Sequence, residues 1–413
     1  MPKQRKIKRT KHLYRDRKKG KIFKTILFIL IIGGLVAAGY FAAPKLMEML
    51  NSGSSTEESS QAPESSLSEE SEPSIPAEES STGSLPSEPE SSVPESSEPE
   101  SSESAQNQMK AYSPAGLSTL DLQAVAEEAR KAKEAGYQAM VLTLKGEDGQ
   151  LLYASDLEQA AAWGTIVEAA PSAAEIANVI RENGLVPIAS IHAFKDPLAA
   201  SMLRDNAYQV TDSPGDTWFD NVPSAGGKKW LNPYRTAARE YIVGIAEELV
   251  QAGFEQILAE SVQFPDGGQY RMSVGETGGL TRAQILRQFT EELDAACPGK
   301  ILVSFPYTAM AGQYAGRYEE SPLYWQAEGI APAVDLRLLD STELSAAAGE
   351  DHSAYGLAYS LLSLAKDSVA AYNGTIIPVV YENGNLQEVL QALEALDIQT
   401  YILRGESSGF LGR

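Results

Sequence analysis

Cysteine is almost missing from this chain: Cys297 is the only one in 413 residues, so no intrachain disulfide can form. Cys297 follows Ala295 and Ala296 at an expected helix end and reads as a small buried thiol rather than a reactive one. Histidine is scarce as well, at three residues, and with one cysteine this leaves no clustered zinc motif. No metal and no other cofactor is expected. No GxGxxG or Walker-type phosphate loop follows a predicted strand, so nucleotide-cofactor chemistry has no signal. No serine lies in a GxSxG elbow, so the sequence gives acyl transfer no support. Beyond the first fifty residues there is no basic cluster, and the whole chain carries a net charge of −22. Nucleic acid needs a basic footprint and is therefore excluded as a partner.

What is present is divided sharply along the chain. Residues 1–24 are strongly basic, with Lys3, Arg5, Lys6, Lys8 and Arg9 among them. Residues 25–43 carry no charge and are rich in Ile, Leu, Gly and Ala. At about 1.5 Å per residue that run is roughly as long as a bilayer core is thick. It predicts one transmembrane helix, with the basic tail kept in the cytoplasm and everything after it outside. A cleavable signal peptide is the competing reading, but Ala37, Gly39, Ala42 and Ala43 make weak cleavage sites. Residues 44–109 form a linker, of which 51–109 is Ser, Glu and Pro with no lysine or arginine. Such a segment cannot bury enough apolar surface to offset its ordering entropy, so it is expected to be a disordered stalk.

Residues 110–413 alternate strand-like and helix-like runs. The strand candidates are Met109–Ser113, Ala139–Lys145, Val186–Ala193, Gln256–Glu260, Lys300–Phe305, Ala333–Leu338, Thr375–Val380 and Gln399–Leu403. Amphipathic helices are expected over Leu122–Ala135, Ser172–Asn183, Tyr234–Ala252, Thr281–Ala296, Ser353–Ala371 and Asn385–Leu396. Eight short apolar strands, most followed by a helix, predict a (β/α)8 TIM barrel in the α/β class. An open doubly wound sheet is the alternative. The long third connection, Phe194 to Tyr234, is aromatic and glycine-rich and should cap the C-terminal face.

Barrel enzymes place their chemistry at the C-terminal ends of strands. The fourth strand climbs through Ile257 and Leu258 and ends on a carboxylate, Glu260, before Phe264 and Pro265 break it. Glycosidic hydrolysis needs two carboxyl groups, about 5–5.5 Å apart in a retaining enzyme and about 6.5–9.5 Å apart in an inverting one. Candidate partners for Glu260 are Asp340 after strand six, Glu382 after strand seven and Glu406 after strand eight. Glu382 leads, because Tyr381-Glu382-Asn383 offers a ring, a carboxylate and an amide together. The structural reading of Glu260 is a strand-end acid pairing with Lys145 or Arg337. Lys145 and His192, at the ends of strands two and three, are candidate ligand contacts. Trp230, Tyr234 and Tyr307 could present flat faces to sugar rings, or could close the barrel top as core. Asp196, before Pro197, reads as a helix cap, and Asp148-Gly149 as a tight turn.

Taken in order, Lys145-Gly-Glu147-Asp148-Gly149, Phe194-Lys195-Asp196-Pro197, Trp230-Leu-Asn232-Pro233-Tyr234 and Glu260…Phe264-Pro265 resemble the glycoside hydrolase domain of bacterial membrane-anchored or secreted TIM-barrel proteins. The resemblance is best over residues 110–270. It implies a TIM barrel and a polysaccharide as substrate or ligand. The chain also departs from that family. Glu260 stands where Asp is usual, Gln263 where Arg is usual, and Asn232 replaces the Asp of a WVDPY motif. Ser190 falls where an Arg often closes the third strand, and Leu338-Leu339-Asp340-Ser341 replaces a Met-Val-Tyr-Pro segment.

The expectation is therefore a membrane-anchored, extracytoplasmic, glycoside-hydrolase-like barrel that hydrolyses or binds a polysaccharide of the cell envelope or its surroundings. The alternative is a non-catalytic glycan-binding or envelope scaffold protein on a degenerate barrel.

Overall fold

The computed structural model describes residues 109–266, 270–310, 312, 315–336 and 351–406. The predicted cytoplasmic tail, membrane helix and linker lie outside the described residues. Among the described residues, no helix is long and apolar enough to cross a membrane.

Eight parallel strands close on themselves: β1 (Lys110–Pro114), β2 (Ala139–Lys145), β3 (Val186–His192), β4 (Gln256–Glu260), β5 (Ile301–Pro306), β6 (Gly329–Val334), β7 (Val379–Tyr381) and β8 (Tyr401–Gly405). Each pairs with the next, and β8 returns to β1 with Tyr112 opposite Leu403. The expected TIM barrel is the observed fold, and the open sheet is excluded because it would leave two edges.

Several of the helices open on side-chain caps. Asp121 caps α1 (Leu122–Glu134) by accepting from the N–H groups of Gln123 and Ala124. A short α2 (Glu158–Trp163) precedes α3 (Ala173–Glu182), which opens on a capping box between Ser172 and Glu175. Asp196 caps α4 (Pro197–Met202), with Pro197 in its first turn. Then come α5 (Thr236–Gln251), α6 (Arg282–Ala296, capped by Thr281), α7 (Ala354–Ala370) and α8 (Leu386–Ala395).

Three strands differ from expectation. β6 begins four residues before the predicted Ala333, because Gly329 and Pro332 look like strand breakers. Gly329 is instead a close-approach position, where an added Cβ would lie 2.5 Å from the Ile301 carbonyl oxygen. The seventh run splits at Ile377-Pro378 into Thr375–Ile376 and β7, since proline has no N–H for the ladder. β8 lies two residues later than Gln399–Leu403, which brings Arg404 into the strand.

Strand residues alternate faces. One set, Ala111, Val141, Ile188, Leu258, Leu302, Ala331, Val379 and Ile402, packs as a compact apolar cluster inside the barrel. The opposite set, including Tyr112, Met140, Ala189, Ile257 and Val303, joins the helices in the larger outer core. Two residues beyond seven of these positions, at the C-terminal mouth, the same face carries Ser113, Thr143, Ser190, Glu260, Ser304, Tyr381 and Arg404, the exception being Ala333 after Ala331. The barrel interior is therefore oily at mid-height and polar at its C-terminal end.

Candidate functional site at the C-terminal mouth

Glu260 occupies this polar layer with only 14% of its side chain exposed. Arg404, arriving from β8, grips it with two hydrogen bonds of 2.8 Å. The Ser190 hydroxyl donates to the same carboxylate at 2.5 Å. Burial by itself would raise the pKa of this group. The Arg404 charge and its hydrogen bonds, helped by His192 and Ser190, overturn that and hold Glu260 at about 2. Glu260 is thus an anion at any physiological pH and cannot serve as a proton donor. It does pair with a base, as the structural reading expected, but the partner is Arg404. Arg337 lies outside the described residues.

Arg404 also donates to the Ser113 hydroxyl at 3.3 Å and sits 6.0 Å from the centre of the Tyr381 ring. The Tyr381 phenol is raised mainly by burial, against the lowering effect of Arg404 and with Glu260 and Asp335 adding to the rise. Asp335, just past β6, continues the interior row from Ala331 and Ala333, and its carboxylate accepts a 3.3 Å hydrogen bond from the Asn383 amide. Asp335 was not singled out from the sequence, because β6 was placed four residues late and Asp335 then fell inside it.

Lys145 is brought elsewhere. The register shifts between Thr143 and Lys145, so Lys145 stands opposite Ile191 and leaves the interior row. It is fully buried, 2.9 Å from the Asp196 carboxylate, and donates to the His192 carbonyl at 2.6 Å. No surface is left to meet a ligand, so its expected contact role is replaced by a structural one. Glu382 is turned away from Glu260, since it follows the inward Tyr381 on an alternating strand. Its carboxylate accepts from the Glu406 N–H at 2.9 Å, and its charge helps raise the buried phenols of Tyr112 and Tyr137 on the outer side. Glu406 is exposed beside it. Glu382 therefore does not face the interior row beside Glu260. Asp340 lies outside the described residues.

His192 and Glu260 are register partners on neighbouring strands. Burial first, and then Lys145 and Arg404, push the imidazole below its ordinary value, while Glu260 and Glu147 pull the other way. Its Nδ1 lies 2.9 Å from the Ser261 hydroxyl. Tyr307 is buried just past β5, its phenol without a hydrogen-bond partner among the described residues and raised by burial and by Asp335.

Beside this layer opens a cleft of about 480 Å³. Glu147 from the β2 loop, Lys195 from the β3 loop, and Ser261, Gln263 and Asp266 beyond β4 form one side. Asp220, Asn221, Lys228 and Trp230, from the connection between β3 and α5, form the other. Lys195 pairs with Glu147, and Asp266 with Arg317. Trp230 is 4% exposed, and its indole N–H donates to Asp220 at 2.9 Å. Tyr234 packs on Phe264 and donates to the Leu280 carbonyl at 3.2 Å, closing the top of the barrel. Among the described residues, no group of three or more His, Cys, Asp or Glu is arranged to hold a metal ion.

Residues 117–306 match the family described as "Putative glycosyl hydrolase domain". Over that stretch, a little under half of the chain, the sequence is similar to this family. The match takes in Ser190, His192 and Glu260 and stops before Asp335, Tyr381 and Arg404. Similar solved structures include a hypothetical protein from Ruminiclostridium thermocellum, 23% identical at a TM-score of 0.41, covering 47% of this chain and 95% of that one. The catalytic domain of a Paenibacillus polymyxa β-amylase is 9% identical at 0.48, covering 72% of this chain and 92% of that one. An α-galactosidase from Geobacillus stearothermophilus is 11% identical at 0.43, covering 74% of this chain and only 41% of its own length. No curated protein matches the chain. The domain is glycoside-hydrolase-like.

Proposed function

We propose that this barrel binds a polysaccharide of the cell envelope or its surroundings along the C-terminal cleft, and that residues 25–43 hold it at a membrane with the barrel outside. The observation that carries the binding reading is the clamp on Glu260. A glycosidase needs one carboxyl group that still holds its proton near neutrality. The carboxylate at the most favourable strand end is instead locked as an anion by Arg404. The cleft beside it presents amides, a hydroxyl and charged groups around Trp230, a lining suited to the hydroxyl edges of sugars.

A second reading keeps hydrolysis. In it, Glu260 is the ionised nucleophile and Asp335, inward-facing at the end of β6, is the proton donor. It is favoured by the place of Asp335, which continues the interior row past β6 and accepts from the Asn383 amide at the same mouth. An envelope scaffold role on the same barrel is the reading to adopt if no sugar binds.

One experiment separates them: an array of envelope glycans probed with the full chain, followed by a reducing-end assay on every ligand found. Binding without turnover supports recognition. Turnover that disappears in Glu260→Gln and in Asp335→Asn replaces it with hydrolysis. The absence of any glycan bound sinks both.

A further inference from the structure

The turn after β4 holds a pairing that neither glycan reading uses. Ser261, the residue directly after Glu260, has φ of 56° although it is not glycine. Side-chain-bearing residues seldom adopt this left-handed conformation, and strained backbone of this kind gathers at reactive turns. Here it bends the chain sharply out of the strand, and Ser261 lines the cleft. The Ser261 hydroxyl is 2.9 Å from Nδ1 of His192.

Main-chain bonds hold the two residues together. The Ala193 N–H donates to the Glu260 carbonyl at 2.7 Å, and the Phe194 N–H to the Ser261 carbonyl at 3.3 Å. The His192 carbonyl is in turn tied to the buried Lys145 ammonium. The N–H groups of Val262 and Gln263, next along the turn, find no hydrogen-bond acceptor among the described residues.

We propose that Ser261 and His192 are a nucleophile–base pair that hydrolyses carboxylic esters entering the cleft. The step needs the imidazole neutral, with its proton on Nε2, so that Nδ1 can accept from the hydroxyl. The surroundings favour the neutral form: burial, Lys145 from β2 and Arg404 from β8 outweigh Glu260 from β4 and Glu147 beyond β2. Ser261 Oγ attacks the ester carbonyl carbon while its proton passes to Nδ1. The bond from that carbon to the alcohol oxygen then breaks, and the imidazolium returns the proton to the departing alkoxide. Water, deprotonated by His192, attacks the acyl-serine, and the carboxylic acid leaves with Ser261 restored. One water is consumed, and no other co-reactant is required. The Val262 N–H, directly after the nucleophile, holds the sequence position that supplies an oxyanion donor in serine elbows.

The activity involves a different bond from glycosidic hydrolysis, and its test contains no sugar, so it stands or falls apart from the glycan reading. The full chain is assayed with p-nitrophenyl acetate and, separately, labelled with a fluorophosphonate whose position is read by peptide mass spectrometry. Ser261→Ala and His192→Gln should each lower kcat/KM by about 100-fold or more. The label should sit on Ser261 and be lost in His192→Gln. Ser261→Gly, which adopts a φ of 56° without strain, replaces the alanine variant if that one unfolds. Unchanged ester turnover in folded Ser261 variants, or absence of label from Ser261, overturns the proposal.

Discussion

Two carboxyl groups at opposite ends of the barrel, one almost buried and one partly exposed, show what decides the charge of an acid drawn out of water. Glu260 stands at the C-terminal mouth and Asp294 at the floor, on the last turn of α6 beside Glu328. Burial raises the pKa of both. Asp294 meets a weak 3.5 Å hydrogen bond from the Glu328 N–H, has one oxygen without a partner among the described residues, and faces further acids in Glu328 and Glu291. It is pushed up to about 6. Glu260 meets a guanidinium and is held at about 2. The same desolvation thus ends in opposite outcomes, and one arginine separates them. The acid with a pKa suited to proton donation lies at the end without the mouth's polar layer, and the acid at the mouth is locked as an anion.

The comparison can be broken most forcefully by removing the arginine. Arg404→Met leaves Glu260 buried and unpaired, and should cost about 3–5 kcal/mol in urea unfolding at neutral pH. A loss under about 1 kcal/mol would mean that the pair does not hold the mouth together.

The next largest effect is in pH dependence. Glu260 falls from an ordinary 4.5 to about 2 on folding. Its contribution is therefore present above pH about 4.5 and disappears as pH falls toward 2, amounting to at most about 3 kcal/mol. Unfolding curves between pH 5 and 2 should lose this slope in Glu260→Gln. A slope of unchanged steepness would assign the acid sensitivity to other groups.

A double-mutant cycle sharpens the same point. Combining Arg404→Met with Glu260→Gln should recover about 2 kcal/mol relative to the sum of the single changes, because no unpaired charge is then left behind. Strict additivity would place the stabilisation in packing rather than in the ion pair.

The smallest effect is of opposite sign and lies at the floor. Asp294 is raised on folding, so its cost is absent at low pH and grows as pH climbs from about 4 through 6. Partly exposed, it should cost roughly 1 kcal/mol after solvent screening. Asp294→Asn should be more stable than the parent by that amount at pH 7 and equal to it at pH 4. Destabilisation at pH 7 would show that this carboxylate has a partner worth more than its burial cost.

Much of the barrel was legible because its signals are local. The apolar period of each helix and the cap at Asp196 before Pro197 act within a turn or two. The strand boundaries that failed were those where a residue's local preference gave way to tertiary contact. Gly329 reads as a break until the Ile301 carbonyl that it must approach is seen. Two-residue errors at β8 and four-residue errors at β6 were enough to hide Arg404 and Asp335, since both stand at the strand ends that were misplaced.

By itself the sequence determined the eight-strand alternation, the aromatic third connection and the arrival of Glu260 at a strand end. Those features follow from hydrophobic periodicity and turn chemistry within a few residues. Only the closed barrel decided what Glu260 became. Arg404 lies 144 residues further along the chain and reaches Glu260 because β8 returns to β1 and both side chains share the interior row. The shift between Thr143 and Lys145 likewise turned a candidate ligand contact into a buried partner of Asp196. Strand alternation is a short-range property, but which alternating rows face one another is set by ring closure and register, and no local pattern encodes either.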